Sequence, residues 1–239
     1  MARSSTPQTR KPKNAQAFSR KLLAWWRRAA RDLPWRKTRD PYRVLVSEFM
    51  LQQTQVSRVA EYYPRFLDRF PDLDTLARAR PRAVREAWDG LGYYARASNL
   101  HALARVVSRD FDGTLPDDPD ELIKLPGVGR YTAGAVATFA YEKPVPAVDT
   151  NVSRVLRRVF IGDGGSGTRD GLKRVWQLAA ALVPKNGKQA WKFNQAVMEL
   201  GALICVARKP KCPHCPVRPN CKTGRRLGRR LDAETPSGG

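Results

Sequence analysis

The sequence predicts an all-α fold. Apolar residues recur at helical spacing in a succession of stretches from Ala17 to Cys205. No stretch of useful length alternates apolar and polar residues as a half-buried strand would. Pro, Gly and Asp fall between the stretches, where they serve as helix stops and caps.

The elements follow in order. AFSRKLLAWWRRAA opens the series, and PYRVLVSEFMLQQTQVSRVAEYYPRFLDRF reads as one long periodic stretch over 41–70. LDTLARA, PRAVREAWDGL, ARASNLHALARVVSRD and DELIKL come next, then YTAGAVATFAY, TNVSRVLRRVF, RDGLKRVWQLAAALV and WKFNQAVMELGALIC. Trp25, Trp26, Trp88, Trp176 and Trp191 lie on these stretches and read as core. GDGGSG at 162–167 lacks the Lys-Ser/Thr of a phosphate loop and reads as a flexible connection. Residues 1–13 and 222–239 are polar, basic and rich in helix breakers, and are expected to be disordered.

The 239 residues carry 44 Lys and Arg against 22 Asp and Glu, a net charge of +22. The excess runs through the folded region as well as the tails. It points to a polyanionic partner, because each neutralised phosphate releases condensed counterions. No window approaches the roughly 18 apolar residues of a membrane span, and the first residues lack an apolar signal core. The expectation is a soluble, intracellular protein with no membrane partner.

The four cysteines form one run, CVARKPKCPHCPVRPNC, with spacing Cys205-x6-Cys212-x2-Cys215-x5-Cys221. A secreted disulfide framework would scatter its cysteines, so a metal site is the better reading. Thiolates suit either an iron–sulfur cluster or zinc, although zinc ribbons usually use two separated C-x2-C pairs. His214 lies inside the run as a bystander. Arg208, Lys209 and Lys211, between the first two cysteines, could be held against phosphates by a pinned loop.

Two more stretches bear chemistry. In LPGVGRYTAGAVATFA, Pro126 presets a turn, while Gly127 and Gly129 permit positive φ or close backbone approach. The following helix opens with free amides, which bind anions. In PVPAVDTNVSRVL, Asp149 stands before an apolar-periodic helix and suits an N-cap.

The 6-2-5 cysteine spacing resembles the [4Fe–4S] loop of the endonuclease III superfamily of DNA glycosylases. LPGVGR resembles that superfamily's helix-hairpin-helix. SEFMLQQTQV, GLGYYAR-x-x-NL at 90–100, LPWR at 33–36, LPGVGR-x-TAGA and FNQAVMELGA at 193–202 closely resemble the MutY-type adenine DNA glycosylases. The resemblance runs from about residue 15 to Cys221.

It implies a two-module fold: a six-helix module with the hairpin over 41–147, and a cluster module from 14–40 and 148–221 bearing the cluster loop. The four cysteines would be the cluster ligands. The amides of Gly127, Val128 and Gly129 would grip a DNA phosphate with a monovalent cation. The implied activity is removal of adenine mispaired with 8-oxoguanine or guanine, by a monomer acting on double-stranded DNA.

In that scheme Glu48 protonates adenine at N7, in a pocket apolar enough to keep a proton on the carboxyl part of the time. Asp149 stabilises the oxocarbenium-like sugar, held in place by Asn151. Arg31, Trp35, Arg36 and Glu199 match positions around the adenine. Gln52 and Tyr93 match residues that wedge into the duplex, and Gln53, Thr54 and Leu91 match positions near the opposite base. Tyr131 stands where the bifunctional branch has a lysine, so an abasic site without efficient strand nicking is implied. Thymine mismatch glycosylases of the superfamily also have Tyr there, which keeps G·T/G·U pyrimidine removal as an alternative. A non-catalytic damage-binding or redox-sensing protein is a third reading. Relatives usually continue into a Nudix-like domain that recognises 8-oxoguanine, whereas about eighteen residues follow Cys221 here.

Overall fold

The computed structural model describes residues 11–162 and 168–226. Among these the regular structure is entirely helical: α1 (Ala15–Ala29), α2 (Pro41–Leu51), α3 (Val56–Arg69), α4 (Leu73–Arg78), α5 (Pro81–Ala87), α6 (Ala95–Asp110), α7 (Pro119–Leu122), α8 (Arg130–Phe139), α9 (Thr150–Leu156), α10 (Arg169–Leu182) and α11 (Gly187–Leu203). Short 3₁₀ turns occupy Pro34–Arg36, Cys212–His214 and Arg218–Asn220. No described helix is long and apolar enough to cross a membrane.

Helix starts are set by local chemistry. The Asp40, Asp72, Asp118, Asp149, Thr168 and Asn186 side chains each accept a first-turn amide, satisfying donors that the helix itself leaves unpaired. Proline follows the cap in α2, α5 and α7, where its missing N–H costs nothing.

The chain divides into two compact units, one formed by the segments up to Ala30 and from Pro144 onward, the other by Arg31–Lys143. LPWR and residues 144–147 thus fall on the opposite side from boundaries at 40/41 and 147/148. In the first unit Phe18 and Leu22 of α1, Val155 and Leu156 of α9, Val175 of α10 and Val197 and Leu200 of α11 form one buried cluster. Phe18 meets the rings of Phe160 and Phe193 edge-on at 5.1 and 6.3 Å. Trp176 and Trp191 are buried here, while Trp25 and Trp26 pack at the cluster's margin. In the second unit Trp88, Phe66, Leu100 and Leu103 are fully buried, and Trp88 meets Phe66 edge-on at 5.6 Å. Helix α8 buries Thr132–Phe139 throughout, a run that is mostly small and lets α8 lie close against α2.

Three expectations need correcting. The stretch over 41–70 is two helices, because α2 ends at Leu51 and Gln53 takes a left-handed conformation (φ 57°) before α3 begins. α9 does not continue regularly through TNVSRVLRRVF but passes into a π-helical turn at Arg157–Ile161, where the Arg158 carbonyl accepts the Cys221 thiol at 3.3 Å. Residues 222–226 are helical rather than tail-like, since the Gly224 and Arg225 amides donate back to Cys221 Sγ and its carbonyl. Residues 1–10, 163–167 and 227–239, the rest of the expected tails and connection, lie outside the described residues.

Candidate active site

Glu48 lies in the last turns of α2 and is only 5% exposed. Tyr131, the second residue of α8, donates its phenol to Glu48 Oε2 at 2.7 Å. The packing of α8 on α2 therefore delivers a neutral hydroxyl to a buried carboxylate across 83 residues of sequence.

The hairpin sits against the same helices. Gly127 is left-handed (φ 73°), and a Cβ there would stand 2.6 Å from the Asn99 Cβ and 3.0 Å from Phe49 Cε1. Asn99 belongs to the GLGYYAR-x-x-NL motif and Phe49 to SEFMLQQTQV, so three motifs meet at this glycine. Gly129 differs: its backbone is extended (φ −92°, ψ 174°), and open space lies where its Cβ would be. Only Gly127 is required by the fold. Gly127 and Gly129 are exposed, whereas the Val128 side chain is buried.

Two loops flank α2 and α6. In the first, Gln52 and Thr54 are half-buried and Gln53 is exposed. In the second, Gly90 (φ 89°), Gly92 (φ 71°) and Tyr93 (φ 46°) are left-handed in close succession, and a Cβ on Gly90 would overlap the Tyr62 hydroxyl. This turn leaves Tyr93 62% exposed, with Leu91 buried beneath it. Trp35 is buried edge-on to Tyr63 at 5.7 Å, and Arg36 donates to the Arg31 carbonyl at 3.0 Å.

In the other unit Asp149 caps α9. Its Oδ1 accepts the Val152 amide at 2.6 Å and its Oδ2 accepts the Asn151 side-chain amide at 2.9 Å. Burial pushes its carboxyl above the usual range, opposed by those donors and by the Arg154 charge. Arg154 extends the chain of bonds: it donates to Asn151 Oδ1 (2.6 Å), the Gly201 carbonyl (2.8 Å) and the Cys205 carbonyl (2.7 Å). Gly201 has no room for a side chain, since a Cβ would lie 2.7 Å from the Asn151 Cβ. Glu199, on α11, is fully buried.

Cys205, Cys212, Cys215 and Cys221 line one cavity together with Val155, Val159 and Leu200. Burial pushes the Cys215 thiol up to about 11, with the neighbouring sulfurs adding to it, and raises Cys212 and Cys221 likewise. Arg158 braces the loop, donating to Cys205 Sγ (3.4 Å) and to the Val206 (2.8 Å) and Ala207 (3.0 Å) carbonyls. Among the described residues no three His, Cys, Asp or Glu side chains gather closely enough for a single metal ion. Arg208, Lys209, Lys211 and His214 are exposed.

Residues 46–181 match the model of the HhH-GPD superfamily of base excision DNA repair proteins. The chain belongs to this superfamily. Among curated members it is 47% identical, over 199 residues, to an adenine DNA glycosylase of Mycolicibacterium smegmatis; the match covers 82% of this chain and 66% of the relative, just under two thirds of its length. Among solved superfamily structures, a thermostable thymine-DNA glycosylase superposes with a TM-score of 0.82 at 33% identity, covering 90% of this chain and 98% of that one. Endonuclease III from a non-covalent DNA complex superposes with a TM-score of 0.76 at 25% identity, covering 92% and 100%.

Nothing in the sequence pattern marks Arg96, Arg154 and Arg158. Arg96 lies inside the GLGYYAR motif, yet nothing in its spacing says that its partners are backbone carbonyls; the other two are ordinary basic residues of a helix until the cysteine loop is seen against them.

Proposed function

We propose that the chain is a monofunctional DNA glycosylase that removes adenine paired with 8-oxoguanine or guanine from double-stranded DNA. The observation that carries this reading is the buried Glu48 carboxyl with a phenol, not an amine, bonded to it. Glu48 gives its proton to N7 of an extruded adenine, which weakens the bond from C1′ to N9. The Tyr131 phenol stabilises the carboxylate that forms. As the base departs, Asp149 offsets the positive charge on the sugar; water adds its hydroxyl to C1′ and releases a proton, leaving an abasic site. Tyrosine supplies no amine for a Schiff base, so the strand stays intact.

The other sequence matches take supporting roles. By the family resemblance Arg31, Trp35, Arg36 and Glu199 are assigned to the adenine, Gln52 and Tyr93 to entry into the duplex, and Gln53, Thr54 and Leu91 to the opposite base. The amides of Gly127 and Gly129 bind a phosphate, with a monovalent cation at the turn; the Val128 amide, expected to join them, is instead donated to the Leu125 carbonyl at 3.1 Å. The charge of +22 supports a DNA partner.

The donor set fits a [4Fe–4S] cluster. Four sulfurs line the walls of one apolar cavity, as a compact polynuclear group requires, and Cys205 and Cys221 each accept a hydrogen bond at sulfur. Such a cluster supplies cross-linking of the loop when bound. Iron and sulfide analysis with a broad visible absorbance is expected; a colourless protein with stoichiometric zinc would overturn the assignment.

A second reading, removal of thymine or uracil opposite guanine, is favoured by Tyr131 and by the near-complete coverage of the thymine-DNA glycosylase structure. Single-turnover assays on duplexes with A·8-oxoguanine, A·G, T·G and U·G, developed with hot alkali, separate the two. Release of thymine or uracil alone would sink the adenine reading.

A further inference from the structure

Arg96 is 7% exposed, and its six hydrogen bonds all run to main-chain carbonyls. Nη1 donates to Phe49 O (3.0 Å), Met50 O (2.7 Å) and Gln52 O (2.6 Å). Nη2 donates to Leu91 O (3.1 Å) and Gly92 O (3.0 Å), and Nε to Tyr93 O at 3.4 Å. Its guanidinium also lies 5.4 Å from the Trp88 ring and 5.7 Å from the Tyr93 ring. Burial lowers the pKa of this cation. A surface arginine would meet carboxylates or water; here the carbonyls closing α2 supply the negative ends of their dipoles instead.

The two sets of carbonyls belong to different segments: Phe49, Met50 and Gln52 close α2 and enter the loop after it, while Leu91, Gly92 and Tyr93 lie in the loop before α6. One follows Glu48 directly and leads into the left-handed Gln53; the other carries the left-handed Gly90, Gly92 and Tyr93. Left-handed non-glycine residues persist only where the surroundings hold them. One planar fork bonded to both sides fixes the spacing between the loops and ties it to the helix that bears Glu48.

We propose that Arg96 is a positioning residue that couples the Gln52–Gln53 loop to the Leu91–Tyr93 loop, so that both enter the duplex as one rigid wedge. This rests on the reading of those loops as the ones that meet DNA. The base stack resists extrusion of a nucleotide, and two loops free to yield separately would transmit less of that load. Arg96 is then needed for opening a paired site and much less for chemistry on a base that is already unpaired.

The test compares the wild-type chain with Arg96→Gln and Arg96→Lys. Single-turnover release is measured for whichever base the wild type excises, from the paired duplex and from the same sequence with that base opposite an abasic site. Amide hydrogen exchange of 52–55 and 90–94 is measured without DNA, alongside the thermal midpoint. Both variants should lose about 100-fold on the paired duplex and stay within about 3-fold on the unpaired one. Exchange should rise in both segments together. Lysine should not rescue, because a single ammonium cannot span both loops.

Equal losses on the two substrates would overturn the proposal, as would rescue by lysine or faster exchange in one segment alone. If Arg96→Gln fails to fold, the lysine variant decides. A wild-type preference for thymine defeats the adenine reading while leaving this comparison intact. If the wild type releases no base, the functional reading falls and the paired exchange response alone decides for or against Arg96.

Discussion

In the unit formed by Arg31–Lys143, the carboxyl of Glu48 is met by a phenol 83 residues away in sequence, brought there by the packing of α8 on α2. In the other unit, the donors to Asp149 come from within three residues, Val152 and Asn151, at the start of the helix it caps. One group depends on tertiary packing and the other on a helix terminus. In the proposed reaction the first arrangement suits an acid that surrenders a proton, since a neutral neighbour steadies the carboxylate formed. The second suits a carboxylate that stays charged, since its donors favour the ionised form against burial.

The sharpest way to break this comparison is to neutralise each carboxyl in turn. Glu48→Gln should slow single-turnover base release by about 10²–10⁴-fold, the range of a general acid, with affinity for duplex retained. A loss of only a few-fold would remove Glu48 from the acid role. Tyr131→Phe keeps the ring and deletes one hydroxyl, so its loss should be smaller, about 10-fold, as for one hydrogen bond to a charged group. A rate unchanged in Tyr131→Phe would make the phenol a packing group.

The Asp149 side sharpens through pH. Burial raises this carboxyl, so the acid limb of the rate profile should lie above that of an ordinary carboxylate. Asn151→Ala removes a donor that favours the charged form; the pKa must rise further, and the acid limb must move to higher pH. At the alkaline plateau the loss should be modest, about 10-fold. A limb that stays in place, or moves to lower pH, would separate Asn151 from the ionisation of Asp149.

The same contrast explains what could be read beforehand. An Asp before a periodic run is an N-cap by local rule, and Asp149 is one. The cysteine run and the helical pattern were also legible, because each depends on neighbours in sequence, whereas Tyr93 stood out only through the family resemblance. The Tyr131–Glu48 bond was not, since both residue identities are compatible with a helix surface and only the fold joins them. The break at Gln52–Gln55 was hidden for a related reason: the apolar spacing of 41–70 runs through it, and what ends α2 is a guanidinium from α6 bonded to its final carbonyls. Bonds from side chain to remote backbone leave no periodicity to detect.

The two hairpin glycines allow a finer cut within one turn. Gly127→Ala forces a left-handed alanine into the Asn99 and Phe49 side chains, so equilibrium denaturation should show a loss of about 1–3 kcal/mol. Gly129→Ala meets open space in an extended backbone, and as a helix N-cap it should cost no more than about 1 kcal/mol. If the turn amides grip a phosphate, however, the added methyl at Gly129 intrudes where the DNA backbone must approach. Duplex affinity should then fall about 10-fold at fixed salt, with base release from saturated complex little changed. A Gly129→Ala protein that binds as the wild type does would make the open space at this glycine incidental to DNA. A protein destabilised as much as Gly127→Ala would show that both glycines serve the fold.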